Sequence, residues 1–255
     1  MSFIDSHSHI YLDDFDHDRA EMLERGEKEG IRKILMPAID SATHRKMLNI
    51  EEEFPKQCES MMGLHPCSVK ENFKEELQIV RQFLEERKFI AIGETGLDFY
   101  WDLSFKGLQY EAFEQQIKWA LQYNIPVVIH SRNSLDECIQ IISEHKKENL
   151  KGVFHCFSGS IEQAKKIIDL DFYLGIGGVI TFKNSGLDKV IEQIELKNVI
   201  LETDAPYLAP VPFRGKRNEC SYLKYVVQKL VEVKKIQAEE IAAITTANAE
   251  KLFGV

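Results

Sequence analysis

Two histidines separated by one residue, His7-Ser8-His9, follow the apolar pair Phe3-Ile4 and Asp5-Ser6 near the start of the chain. Residues i and i+2 of an extended strand face the same side, so both imidazoles converge on one point. Further residues of metal-ligand type each sit just after a short apolar run: Glu94 in Gly93-Glu94-Thr95-Gly96-Leu97-Asp98, His130 after Val127-Val128-Ile129, His155 after Gly152-Val153-Phe154, and Asp204 in Glu202-Thr203-Asp204. Ionisable groups buried at strand ends are costly unless paired or bound to a cation. Four imidazoles and two carboxylates exceed one tetrahedral zinc site, which takes about three or four ligands. They suit two divalent ions that share a ligand. Glu94 is the bridging candidate, because a carboxylate offers one oxygen to each ion. His7, His9 and Asp204 then complete one site, and His130 and His155 the other. Mixed nitrogen and oxygen donors admit Mg, Mn, Zn, Co or Ni. Paired ions roughly 3.5–4 Å apart activate a water and stabilise both attacking and leaving oxygens.

Such a cluster needs a scaffold that brings many strand ends together. Apolar, β-branched runs predict strands near Phe3–Ser6, Lys33–Pro37, Ser60–Leu64, Phe89–Gly93, Val127–Ile129, Gly152–Phe154, Phe172–Ile176 and Val199–Leu201. Helical periodicity fills the intervals: Leu77, Val80 and Leu84 share one face, as do Leu223, Val226, Val227, Leu230 and Val231. Ser134-x-x-Glu137 and Ser160-x-x-Gln163 read as capping boxes. Two last helical stretches, Ala238–Ile244 and Ala247–Phe253, are expected on the outside or base. Strands alternating with helices indicate an α/β fold with parallel strands. An open doubly wound sheet leads one to expect a Gly-rich turn after the first strand, and His7-Ser8-His9-Ile10 has no glycine. The expectation is therefore a closed (β/α)8 TIM barrel, one domain over residues 1–255. In such a barrel the C-terminal strand ends surround one pocket, and the first and last strands are neighbours.

Composition narrows the class. The chain has 255 residues, 44% hydrophobic and 29% charged, which excludes disordered and fibrous classes. Against 41 Asp and Glu stand 32 Lys and Arg, a net charge of −9, which disfavours a broad basic face coating duplex DNA. It does not exclude an enzyme meeting one phosphodiester through a metal and a few cations. No apolar run is long enough to span a bilayer, and no membrane partner is expected. The opening Met1-Ser2-Phe3 lacks a basic stretch, so no signal peptide is expected. Five scattered cysteines without a C-x-x-C argue against a disulfide framework and for a cytoplasmic setting.

These residues resemble the TatD-type metal-dependent nucleases among the amidohydrolase-like barrels. The likeness runs nearly end to end, through Asp5-Ser6-His7-Ser8-His9, Gly63-Leu64-His65-Pro66, Gly93-Glu94-Thr95-Gly96-Leu97-Asp98 and Pro126-Val127-Val128-Ile129-His130-Ser131-Arg132. It continues with His155-Cys156-Phe157-Ser158-Gly159, Glu202-Thr203-Asp204-Ala205-Pro206-Tyr207-Leu208 and Arg214-Gly215-Lys216-Arg217-Asn218. One departure is Cys220, where the family has Pro. The resemblance implies a TIM barrel and a divalent-metal phosphodiesterase with exonuclease-like action on DNA, and it supports the ligand set assigned above.

Other residues have expected roles around that centre. His65 is placed to donate to the scissile phosphate and Arg132 to clamp it. Glu202 is placed to orient a ligand imidazole. Arg214, Lys216 and Arg217 form a basic cluster to steer nucleic acid, and Phe99-Tyr100-Trp101 offers a stacking surface for bases. Cys156 is expected to point away from His155, towards the helices. The expected function is hydrolysis of DNA by a monomer, trimming single-stranded ends, with Asp204 orienting or deprotonating the attacking water. The alternative is a small-molecule amidohydrolase or esterase on the same barrel. Those enzymes often bridge their metals with a carboxylated lysine, whereas Glu94 holds that position here. A non-catalytic metal-binding scaffold is a third class, disfavoured by a ligand set complete with Asp204 and Arg132.

Overall fold

A computed structural model describes residues 1–255. Its parallel strands are β1 (Phe3–Asp5), β2 (Ile31–Met36), β3 (Cys58–Ser60), β4 (Ile92–Asp98), β5 (Val127–Arg132), β6 (Gly152–Phe154), β7 (Tyr173–Ile176) and β8 (Val199–Leu201). They pair in chain order as β1-β2-β3 and β4-β5-β6-β7-β8. Single parallel bridges join the two groups at both seams, Met62 to Ile92 and Ser8 to Ala205. Around the second seam Ser6 N–H donates to Leu201 O at 3.0 Å, and Asp204 N–H to His7 O at 2.9 Å. The first and last strands are thus neighbours, and the architecture is the α/β TIM barrel.

The helices are α1 (Arg19–Lys28), α2 (Ser41–Glu53), α3 (Phe73–Glu86), α4 (Lys106–Tyr123), α5 (Leu135–Glu144), α6 (Ile161–Asp169), α7 (Leu187–Glu192), α8 (Leu223–Lys234) and α9 (Ala238–Phe253). Leu77, Val80 and Leu84 of α3 and Leu223, Val226, Val227 and Leu230 of α8 are buried, as their spacing requires. Strand residues divide by alternation. One set, including Ile34, Ile129, Leu174 and Leu201, packs outward under the helices. The other, including Ile4, Leu35, Val128, Val153 and Ile200, fills the barrel, where Met61, just past β3, and Ala249 and Phe253 of α9 join it.

Several boundaries differ from expectation for physical reasons. β3 ends at Ser60, where Ser60–Leu64 was expected to be strand; beyond it Met61 N–H still donates to Met36 O at 2.8 Å and Met62 bridges to Ile92. β4 lies further along than Phe89–Gly93, and β5 runs to Arg132 instead of stopping at Ile129, because Gly96, Leu97 and Asp98 pair with His130, Ser131 and Arg132. Gly96, at φ +132°, is required there: a Cβ would stand 2.1 Å from His130 O. The expected break between Ala238–Ile244 and Ala247–Phe253 does not occur, because Thr245 and Thr246 continue the helix. Thr245 Oγ1 returns its proton to Ile241 O at 2.8 Å. The Ser160–Gln163 capping box is present. Ser134 makes no cap; its hydroxyl instead donates to Leu97 O at 2.6 Å.

The loop that follows β8 is fastened to α1 by charge. Arg217 grips Asp18 with both terminal nitrogens, at 2.6 and 2.7 Å, and Arg25 meets Asp18 at 2.9 Å and Glu219 at 2.7 Å. The guanidinium of Arg217, with that of Arg25, holds the Asp18 carboxyl well below the usual carboxylate range. A depressed pKa contributes stability above the unfolded value, about 3.9, that is lost as pH falls toward the folded one. Asp18→Asn should therefore cost on the order of 1 kcal/mol near neutral pH, since solvent reaches the pair. Urea unfolding should show the gap to the parent chain narrowing below about pH 4. A gap independent of pH would mean that the ion cluster is not its source.

Candidate metal centre

Glu94 reaches the centre of the barrel mouth because β4 bulges there. Between Ile92 and Thr95 three residues of β4 advance while β5 advances two, from Val127 to Ile129. Such an extra residue re-aims a side chain, and the Glu94 carboxylate, almost fully buried, turns into a ring of imidazoles. Its two oxygens face different partners. Oε2 lies 3.1 Å from His7 Nε2 and 3.4 Å from His9 Nε2. Oε1 lies 2.7 Å from His155 Nε2, 2.8 Å from His130 Nδ1 and 3.4 Å from His65 Nε2. Asp204 Oδ1 completes the first side, 3.7 Å from His7 Nε2 and 3.6 Å from His9 Nε2. The donor atoms of His7, His9 and Glu94, of His7, His155 and Asp204, and of His65, Glu94 and His130 each lie within 4.8 Å of one another. All the residues expected to ligate are thus together.

The far nitrogen of each ring decides which near nitrogens carry a free lone pair. Tyr11 donates its hydroxyl proton to Pro37 O at 2.7 Å, so at 2.9 Å its oxygen can only accept from His9 Nδ1–H. In neutral His9 the proton is held there, and Nε2 faces the carboxylates bare. His130 Nε2 lies 2.9 Å from Asp98 Oδ2, which fixes its proton likewise and leaves Nδ1 bare toward Glu94. His155 Nδ1 is 3.6 Å from Glu202 Oε1. A carboxylate or similar acceptor behind a ligand imidazole is the ordinary arrangement of a metal site. His65 is the reverse case. Its Nδ1 accepts from Cys67 N–H at 3.0 Å, so neutral His65 carries its proton on Nε2 and is a donor. The buried His7 Nδ1, His155 Nδ1 and Glu202 Oε2 have no hydrogen-bond partner. The donor set therefore fits hard or borderline divalent ions.

Electrostatics agree. Burial alone would raise the Glu94 carboxyl, but His155, His65 and His7 outweigh it and hold the group well below the usual carboxylate range. Burial also opposes protonation of His9, yet Asp204 and Glu94 raise it to about 9. Glu94 and Glu202 lift His155, whereas burial and the neighbouring His155 lower His7. The cluster is a sink for positive charge, and protons occupy it when a cation does not.

Above it opens a cavity of about 900 Å³. Arg132 lines it and forms no ion pair; its guanidinium lies over Tyr100, 3.9 Å from the ring centroid. Arg214 and Lys216 also line it, but Arg217 is bound to Asp18 and does not, so the expected basic cluster is divided. Tyr100 and Trp101 are exposed, whereas Phe99 packs against the core. Cys156 corrects the expectation that it points to the helices. Beyond the end of β6 it adopts φ +47°, which breaks strand alternation, and it lines the cavity. Its N–H donates to Glu202 Oε1. Cys220, the departure from the family pattern, is buried against Met22. Tyr11 and Asp98 were missed. Asp98 was legible as a strand-end acid in the Glu94 motif, but nothing in sequence linked Tyr11 to Pro37.

Residues 4–254 match the family model described as TatD related DNase. An uncharacterized metal-dependent hydrolase of Bacillus subtilis strain 168, YabD, is 38% identical, with 98% of each chain covered. Another from Escherichia coli strain K12, YcfH, is 32% identical over 100% of this chain and 97% of its own. The crystal structure of YjjV, a TatD homologue from Escherichia coli K12, superposes with a TM-score of 0.93 at 32% identity, covering 99% of this chain and 98% of that one.

Two outcomes test the centre. Tyr11→Phe removes the acceptor behind His9 and should weaken divalent-ion binding about 10- to 100-fold, measured by titration calorimetry; unchanged affinity would remove Tyr11 from the site. A cation must displace the His9 proton, so binding should release protons and tighten as pH rises toward about 9. Calorimetry in buffers of different ionisation enthalpy reads that release directly.

Proposed function

The chain is a metal-dependent hydrolase belonging to the TatD-related DNase family, and we propose that it cleaves phosphodiester bonds of DNA, trimming single-stranded ends. The observation that carries this reading is the division of Glu94, one oxygen toward His7 and His9, the other toward His130 and His155. His7, His9 and Asp204 would hold one divalent ion and His130 and His155 a second, with Glu94 shared between them, and Mg, Mn, Zn, Co and Ni would all suit these donors. Ions so held lower the pKa of a water and offset charge on the attacking and leaving oxygens. Asp204 is the proton acceptor: the cluster's imidazoles offset its burial and keep it ionised, and more of its side chain is open to the cavity than that of Glu94. His65 donates from Nε2 to a phosphoryl oxygen, and Arg132 adds charge from the rim. Tyr11 and Asp98 hold the His9 and His130 rings in place, and Glu202 stands behind His155 as a counter-charge.

The substrate follows from shape and charge. Arg132, Arg214 and Lys216 are the cations lining the cavity, against a net charge of −9, so few phosphates are met at once. A flexible strand end enters a recessed centre more readily than a duplex interior. One chain supplies every group, in keeping with a monomer. All five cysteines are free thiols, in keeping with a cytoplasmic setting, and no helix is long and apolar enough to cross a membrane.

With end-labelled oligonucleotides, chelation should abolish cleavage and a divalent ion restore it. Asp204→Asn should lose at least about 100-fold in kcat while retaining most of its metal, whereas Glu94→Gln should lose metal stoichiometry. Cleavage that survives exhaustive chelation, or efficient nicking of covalently closed duplex, would refute the reading.

A further inference from the structure

Apart from Met1, the exposed large hydrophobic side chains, Tyr100, Trp101, Leu103, Tyr207, Leu208 and Val211, all belong to the loops that follow β4 and β8. These loops border the same cavity. Trp101 is 68% exposed and Tyr207 52%, and both line it. Large apolar side chains left in water around the mouth of a polar pocket mark a contact surface. The backbone that carries the indole is held in position. Asp98 Oδ1 accepts from Tyr100 N–H at 2.9 Å and from Trp101 N–H at 3.2 Å, while Oδ2 meets His130. The Tyr100 and Trp101 rings meet edge to face with centroids 4.9 Å apart, and the Arg132 guanidinium lies 5.2 Å from the Trp101 ring centroid.

An aromatic face beside cations has a particular chemical complement. A purely apolar partner gains nothing from Arg132, Arg214 and Lys216, and a free phosphate gains nothing from the indole. A nucleotide uses both, its base on the ring and its phosphate on the guanidinium. We propose that Trp101 is the platform on which an unpaired nucleobase stacks while the adjoining phosphate lies over the imidazole cluster, with Tyr207 as the opposite wall. This rests on the nuclease reading above. A paired base presents its edge and not its face, so the platform selects strands without a complement, and every base has a face to offer, so sequence matters little.

The two tryptophans give a direct readout, because Trp119 is buried and Trp101 is exposed. The protein as purified is titrated with a short phosphorothioate-linked single-stranded oligodeoxynucleotide and with an abasic strand of equal length. The base-bearing strand should quench the exposed indole saturably, and the abasic strand should not. Trp101→Ala should weaken binding of the base-bearing strand at least about fivefold, leave binding of the abasic strand unchanged and abolish the quench. Trp101→Phe should restore most of the affinity. Equal quenching by both strands, or unchanged affinity in Trp101→Ala, overturns the platform. Cleavage of DNA without quenching would defeat the platform and spare the nuclease reading; quenching without metal-dependent cleavage would do the reverse.

Discussion

Everything at the mouth of this barrel depends on one buried carboxylate. Without Glu94, five imidazoles would crowd a space of low polarity with no carboxylate at their centre, only Asp204 at one side and Asp98 and Glu202 behind His130 and His155. With it, each oxygen gathers its own group of rings. The cost of burying that charge is the reason for the imidazoles, and their mutual repulsion is the reason for the charge. Neither part is stable alone, and a cation satisfies both. The fold serves this arrangement: the bulge in β4 aims the carboxylate, and the seam between β1 and β8 brings Asp204 beside His7.

Much of this was legible in the sequence, because strand period is a simple rule. β6 and β8 match their expected ranges, and every residue expected to ligate lies in the cluster. The rule works while the backbone stays extended, and it fails where the backbone departs. Cys156, in the left-handed region, turns into the cavity against the alternation that placed His155 there. Glu94 sits in a bulge that no propensity announces. Long-range partners were also hidden. Tyr11 acts through Pro37, which lies 26 residues away, and Arg217 through Asp18, which lies 199 residues away. In sequence Arg217 resembles its basic neighbours, and only the tertiary structure separates a structural arginine from cavity-lining ones.

The imidazoles are also sorted by what stands behind them. His9 and His130 have acceptors at the far nitrogen, and His65 has a donor. A backbone N–H and a tyrosine hydroxyl thereby assign opposite jobs to rings that share one carboxylate. A bare nitrogen and an N–H facing the cavity differ here by a single hydrogen bond, made on the far side of the ring.

The plug of α9 in the barrel floor bears on how the chain folds. Ile4 and Phe253 belong to one interior cluster although almost the whole polypeptide separates them. Contacts of such sequence separation form only after a large loss of chain entropy. During synthesis from the N-terminus, strands β1 to β8 leave the ribosome before Ala249 and Phe253, so the interior they line stays open at one end until α9 has been made. Assembly of the outer helices can precede that moment; sealing of the inner core cannot.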